Sequence, residues 1–197
     1  MLVNHMNRIK LLKRLEKYPV FDDGTVENII DKSRDYARLV IHRLKKADLI
    51  NAIEKGKYTI YNDAFLIASR IVWPSYISNW AALQYYNLTE QFPNTIDVIT
   101  TRVRKQRILK FKGSGIRFVR FKINNFFGFK KIYYSNFEVF IAEKEKALLD
   151  LLFLRKISLE DFSKIIKTKR NKINKDKIKI YAKKMGKFLY KRLKDVV

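Results

Sequence analysis

The sequence predicts an α+β protein in two parts: a helical unit closed by a hairpin over residues 1–62, and a larger mixed α/β domain over residues 63–197. Three observations predict it. Apolar residues recur at helical spacing three times before Asp48, then give way to two short β-prone runs around Glu54, Lys55 and Gly56. From Asp63 onward, helical patterns are mixed with β-branched and aromatic runs. The chain has 197 residues, 47% of them hydrophobic, enough for a core in each part.

In the first part, residues 7–17 predict a helix, with Ile9, Leu12 and Leu15 at helical spacing and Pro19 just beyond its end. Asp22 to Thr25 form a turn that carries its own cap. A short helix over 26–31 turns Val26, Ile29 and Ile30 inward. Lys32 and Ser33 make a tight turn, and Ser33 caps a third helix over 34–47 whose apolar stripe is Ala37, Val40, Ile41 and Leu44. Strands over 49–53 and 57–61 close the unit. Helix, short helix, tight turn, amphipathic helix and hairpin is the order of a winged helix-turn-helix, in which the third helix enters the major groove of DNA.

That reading names candidate contacts. Arg34, Arg38, His42 and Lys45 form a polar stripe on the third helix, and an arginine there pairs bidentately with guanine. Ser33, Tyr36 and Arg43, with Lys55 and Lys57 on the hairpin, are placed for phosphates, which fix register rather than sequence. Leu39 lies off the apolar stripe, against a thymine methyl or a neighbouring side chain. The alternative is a small helical subdomain with a solvated basic face, or a winged helix that binds protein.

In the second part, helices are expected over 63–70, 75–86, 143–154, one opened by Ser158, and 175–193. Strands are expected over 95–101, 108–112, 116–123, 126–134 and 137–141, with a hairpin turn at Gly113, Ser114 and Gly115. The last helix places Ile178, Tyr181, Met185, Phe188 and Leu189 on one face.

The net charge is +24, which calls for a polyanionic partner, nucleic acid before membrane. Residues 102–135 hold 11 basic and no acidic side chains, and residues 163–197 hold 14 and 2. A lysine-rich genomic composition is the other account of these two blocks. No cysteine is present, so disulfides, thiolate zinc sites and cysteine nucleophiles are excluded. The start, MLVNHMNRIKLL, lacks a signal peptide's apolar core, and no stretch has the 18 apolar residues of a membrane span; a cytoplasmic protein is expected. The sequence has no Walker motif, GxGxxG or HExxH, and its two histidines, His5 and His42, are not at metal spacing. Gly113-Ser114 lacks the downstream aspartate pair that a nucleotidyltransferase uses to hold magnesium. Glu143, Glu145 and Asp150 are read as a solvated helix start, 143 and 150 on one face. No enzyme activity, cofactor or metal is expected.

Three blocks resemble one family. The run ASRIVWPSYISNWAALQYYNLTEQFPNTIDVITT (68–101), FFGF (126–129) and IAEKEKALLDLLFL (141–154) are similar, in order, to the AbiEi antitoxin family of abortive-infection systems. SRDYARLVIHRLKKADLI (33–50) and KGKYTIY (55–61) resemble its winged-helix segment. The resemblance covers roughly residues 8–155 and leaves the basic tail unmatched. It implies a type IV toxin–antitoxin role. The N-terminal domain would repress its own operon on double-stranded promoter repeats, as a monomer or dimer with several copies on the DNA. The C-terminal domain would oppose a nucleotidyltransferase-like toxin, with no stable complex implied. The alternative is a solitary module binding DNA, RNA or protein without a toxin.

Overall fold

The computed structural model describes residues 8–90 and 93–194. Asn7 and His5 lie outside the described residues. The protein is α+β and divides into two compact units between Ile71 and Val72. The composition changes at Asp63, but the short helix that follows belongs to the first unit.

The first unit contains helices α1 (Arg8–Leu15), α2 (Asp23–Ile30) and α3 (Arg34–Lys46), strands β1 (Asn51–Glu54) and β2 (Lys57–Thr59), and α4 (Ala64–Ala68). Asp22 caps α2 by accepting from the Thr25 amide at 2.8 Å and the Thr25 hydroxyl at 2.9 Å. Helix α2 therefore begins at Asp23, earlier than its apolar residues suggest. Asp31, in the left-handed region with φ 53°, ends it. Its core is Leu11, Leu15, Phe21, Val26, Ala37, Ile41, Leu44 and Ile50. Each large aliphatic side chain here contributes about 1.5–3 kcal/mol of burial. Leu11 takes the inward place expected of Ile9, which is 63% exposed. The hairpin β1–β2 turns at Gly56, with φ 77°. Phe21 and Tyr58 exchange both backbone hydrogen bonds, and the Tyr61 hydroxyl donates to the Glu16 carbonyl at 2.6 Å, so the hairpin is tied to the end of α1.

The second unit is built on a six-stranded mixed sheet. Its strands are β3 (Ser75–Ser78), β4 (Thr95–Thr100), β5 (Ile108–Phe111), β6 (Ser114–Arg120), β7 (Phe129–Tyr134) and β8 (Phe137–Ala142), in the order β5-β6-β4-β3-β8-β7. The β3–β4, β5–β6 and β7–β8 pairs are antiparallel, whereas β4–β6 and β3–β8 are parallel. The helices are α5 (Asn79–Tyr85), α6 (Lys144–Phe153), α7 (Leu159–Thr168), α8 (Lys175–Met185) and α9 (Lys187–Leu193). Helix α6 lies against α5, α7, α8 and the central strands β3 and β8. Among the described residues no helix is long and apolar enough to cross a membrane.

Several sequence expectations are corrected here. Residues 75–78 are not the first turn of a helix but strand β3, buried at all four positions. A short strand in the middle of a sheet is buried on both faces, and four residues running on into a helix carry no alternation that separates them from it. The β5–β6 turn falls on Lys112 and Gly113, so Ser114 and Gly115 belong to β6. Residues 123–125 form a single 3₁₀ turn. The expected helix over 175–193 is broken at Gly186, whose φ of 140° ends α8. Phe188 is consequently 74% exposed, while Ile178, Met185 and Leu189 are buried.

Candidate nucleic-acid interface

Helix α3 owes its orientation to both ends and to one face. The Ser33 hydroxyl accepts from the Tyr36 amide at 3.4 Å, Asp35 sits in the first turn, and Arg43, Lys45 and Lys46 crowd the last, a distribution that complements the helix dipole. Ala37, Ile41 and Leu44 are buried. Arg34, Arg38, His42, Arg43 and Lys45 are all exposed, and Tyr36 is half-buried. Leu39 is exposed as well. The expected polar stripe, Arg34, Arg38, His42 and Lys45, is thus brought together on one helix.

Asp23, on α2, organises the N-terminal part of that stripe, and sequence reasoning missed it. Arg34 clamps its carboxylate in a two-bond fork, Nε to Oδ2 and Nη2 to Oδ1, both at 2.9 Å. Arg38 donates from Nε to the same Oδ2 at 3.0 Å and from Nη1 to Asp35 at 3.2 Å. The fork from Arg34, joined by the second guanidinium of Arg38, holds the Asp23 carboxyl well below the ordinary 3.8 against the opposing effect of burial. The arginines stay 57% and 59% exposed. Two guanidinium groups are therefore oriented at the surface by the Asp23 carboxylate, with Asp35 as a second acceptor for Arg38. The available signal was the Asp22-Asp23 pair, read only as a turn.

The sign of this linkage gives a prediction. A carboxyl whose folded pKa is depressed contributes stability above its unfolded pKa and loses it as pH falls toward the folded value. Asp23→Asn should therefore flatten the stability profile of the first unit below about pH 4, measured by thermal unfolding from about pH 2 to pH 6. Parallel profiles for the two proteins would refute the assignment.

The two hairpin lysines differ. Lys55 sits exposed at the turn. The Lys57 ammonium pairs with Glu54 at 3.0 Å and donates to the Ile71 carbonyl, and only 34% of its side chain is exposed. Of the two, Lys55 presents its charge to solvent, whereas Lys57 fastens the hairpin.

In the second unit the acidic residues are not a solvated helix start. Asp150 and Lys146 form an ion pair with both side chains fully buried. Asp150 also accepts from the Ser78 hydroxyl at 2.7 Å and the Tyr76 hydroxyl at 3.3 Å, and Lys146 donates to the Tyr76 oxygen at 3.1 Å. Burial pushes Asp150 up and Lys146 down, and their mutual attraction opposes both shifts. Gly128, with φ 69°, passes so close that an added Cβ would lie 3.1 Å from Lys146 Cγ and 3.0 Å from Tyr181 Cε2. Glu145 is buried too and accepts from the Asn174 amide at 2.9 Å; Glu143 accepts from Tyr181 and pairs with Lys177 at 2.9 Å. Glu143 and Glu145 thus both serve the α8 side, and Asp150 faces β3. A second centre surrounds Asp97, which accepts from Arg117 at 2.7 Å, Asn79 at 2.8 Å and Lys156. Burial opposes its ionisation, but these three donors together hold its pKa below the ordinary value. These networks join strands to helices through hydrogen bonds and ion pairs, and within the Asp97 centre the buried Asn79 Oδ1 has no hydrogen-bond partner among the described residues. No family model matches the chain, and no curated protein matches it.

Proposed function

We propose that the chain is a sequence-specific DNA-binding transcriptional regulator whose first unit is a winged helix-turn-helix with α3 as the reading helix. The observation that carries this is the pair Arg34 and Arg38, one turn apart on an exposed stripe, Arg34 held by Asp23 through two bonds and Arg38 through one bond to Asp23 and one to Asp35. Guanine presents O6 and N7 to the Nη1/Nη2 edge that Asp23 leaves free on Arg34, and an arginine already oriented loses less freedom on binding. The helix order, the hairpin tied to α1 and the charge of +24 support the same reading. The three blocks resembling AbiEi proteins extend it to a cytoplasmic antitoxin that represses its own operon and opposes a nucleotidyltransferase-like toxin.

The test is a footprint on DNA immediately upstream of the chain's own gene. The regulator protects a discrete repeat there, and the Arg34→Ala, Arg38→Ala double variant does not. A footprint unchanged in the double variant would refute the role of α3.

The hairpin supplies a further prediction. Lys55→Ala weakens binding to specific and random DNA alike and reduces the salt slope by about one. Lys57→Ala, whose ammonium is already engaged, leaves the slope nearly unchanged and lowers stability instead. Titrations at several salt concentrations check both; a larger slope change for Lys57 would reverse the assignment.

A binder driven by the basic tail is the second reading. Removing residues 163–197 would not test it, because Ile166, Ile178, Ala182, Leu189 and Leu193 of that segment are buried. Exchange of exposed lysines such as Lys179 and Lys183 for glutamine tests it without opening the core.

A further inference from the structure

The second unit contains a cleft of about 460 Å³ that the proposed reading of DNA does not use. Five arginines line it: Arg102, Arg104, Arg107, Arg117 and Arg120. Arg117 pairs with the already crowded Asp97 at 2.7 Å. Arg102 and Arg104 are steadied by bonds from Nε to the carbonyls of Trp73 at 3.2 Å and Gln106 at 3.3 Å. The Arg104 guanidinium also lies 4.1 Å above the Phe118 ring centre. Among the described residues Arg107 and Arg120 have no ion-pair partner, and no acidic residue occurs in the sequence from Arg102 to Ser135. Arginine does not shed its proton, so a concave site with this lining focuses positive potential that a bound anion relieves.

Two features narrow the anion. Several guanidinium forks around one cleft suit adjacent phosphate groups, since each fork takes two oxygens. The lining also offers apolar surface from Val103, Ile108 and Val119, against which a flat ring can rest. The volume falls in the range of small-ligand sites, about 300–1,000 Å³. A DNA duplex is a convex rod and meets such a concavity only at its rim. We propose that this cleft binds a nucleoside triphosphate, its phosphate chain held chiefly by Arg107 and Arg120.

Calorimetric titration of the full chain at constant salt tests this with ATP, tripolyphosphate and adenosine. ATP and tripolyphosphate bind saturably at one site per chain, and adenosine does not. Arg107→Ala and Arg120→Ala each weaken ATP at least about tenfold, and Arg120→Lys restores only part because an ammonium lacks the fork. Lys183→Ala, which removes one exposed charge elsewhere in the same unit, leaves ATP binding unchanged. The side chains of Arg107 and Arg120 are exposed, and circular dichroism verifies that each variant is folded. The proposal is overturned by absence of saturable ATP binding, by adenosine binding as well as ATP, or by equal losses in the arginine variants and Lys183→Ala. It is also overturned if Arg34→Ala with Arg38→Ala abolishes ATP binding, which would put the anion on α3.

Discussion

Asp150→Ala lowers the stability of the second unit by about 3–5 kcal/mol, the cost of leaving a buried charge without its partner. The substitution removes the acceptor of Lys146, of the Ser78 hydroxyl and of the Tyr76 hydroxyl at once. The lysine then faces the rings of Tyr76, Phe121 and Phe127, whose centres lie 5.0 to 5.6 Å from its nitrogen. Those rings attract a cation but do not replace a carboxylate. Asp150→Asn keeps an acceptor for the two hydroxyls and still strands the charge, so it falls between alanine and the wild type. Replacing both partners, Lys146→Met with Asp150→Leu, recovers most of the loss, because neither charge then needs the other. Urea unfolding of the three variants and the wild type measures this. A loss below about 1 kcal/mol for Asp150→Ala would place the pair in contact with water.

Arg38→Ala weakens binding to the specific site by about 1–3 kcal/mol and to random DNA by much less. Arg38 divides its two bonds between Asp23 at 3.0 Å and the exposed Asp35 at 3.2 Å, whereas Arg34 makes both of its 2.9 Å bonds to Asp23. Because Arg34 and Arg38 share Asp23, their effects couple: after either is removed, the other is bound more closely by that carboxylate. The double variant should therefore differ from the sum of the singles by more than about 0.5 kcal/mol. Competition titrations with specific and random duplexes measure both quantities, and equal losses on the two DNAs would make Arg38 a phosphate contact.

Most of the first unit was legible because its signals are local. Ser33 caps the helix it was expected to cap, and Ala37, Ile41 and Leu44 are buried as their spacing required. Boundaries moved where a side chain rather than an apolar residue sets the end, as Asp22 does for α2. The second unit was harder to read because its decisive contacts are distant in sequence. Strand β3 has its neighbours more than a dozen residues away, and its four residues, Ser75 to Ser78, are too few to carry a period that distinguishes strand from helix. Asp150 looked like one of three surface acids because Ser78 and Tyr76, its partners, lie over 70 residues earlier. Asp23 escaped for the same reason, with Arg34 and Arg38 on another helix. The arginines of residues 102–120 were visible as charge, but their convergence on one cleft follows from the pairing of β5 with β6.

The most direct measurement is an electrophoretic shift at physiological salt, with DNA from immediately upstream of the chain's own gene set against scrambled DNA of equal length. A regulator that reads sequence through α3 prefers its own DNA by about a thousandfold or more. Equal binding to both would contradict that claim and reduce the charge of +24 to a general attraction for polyanions.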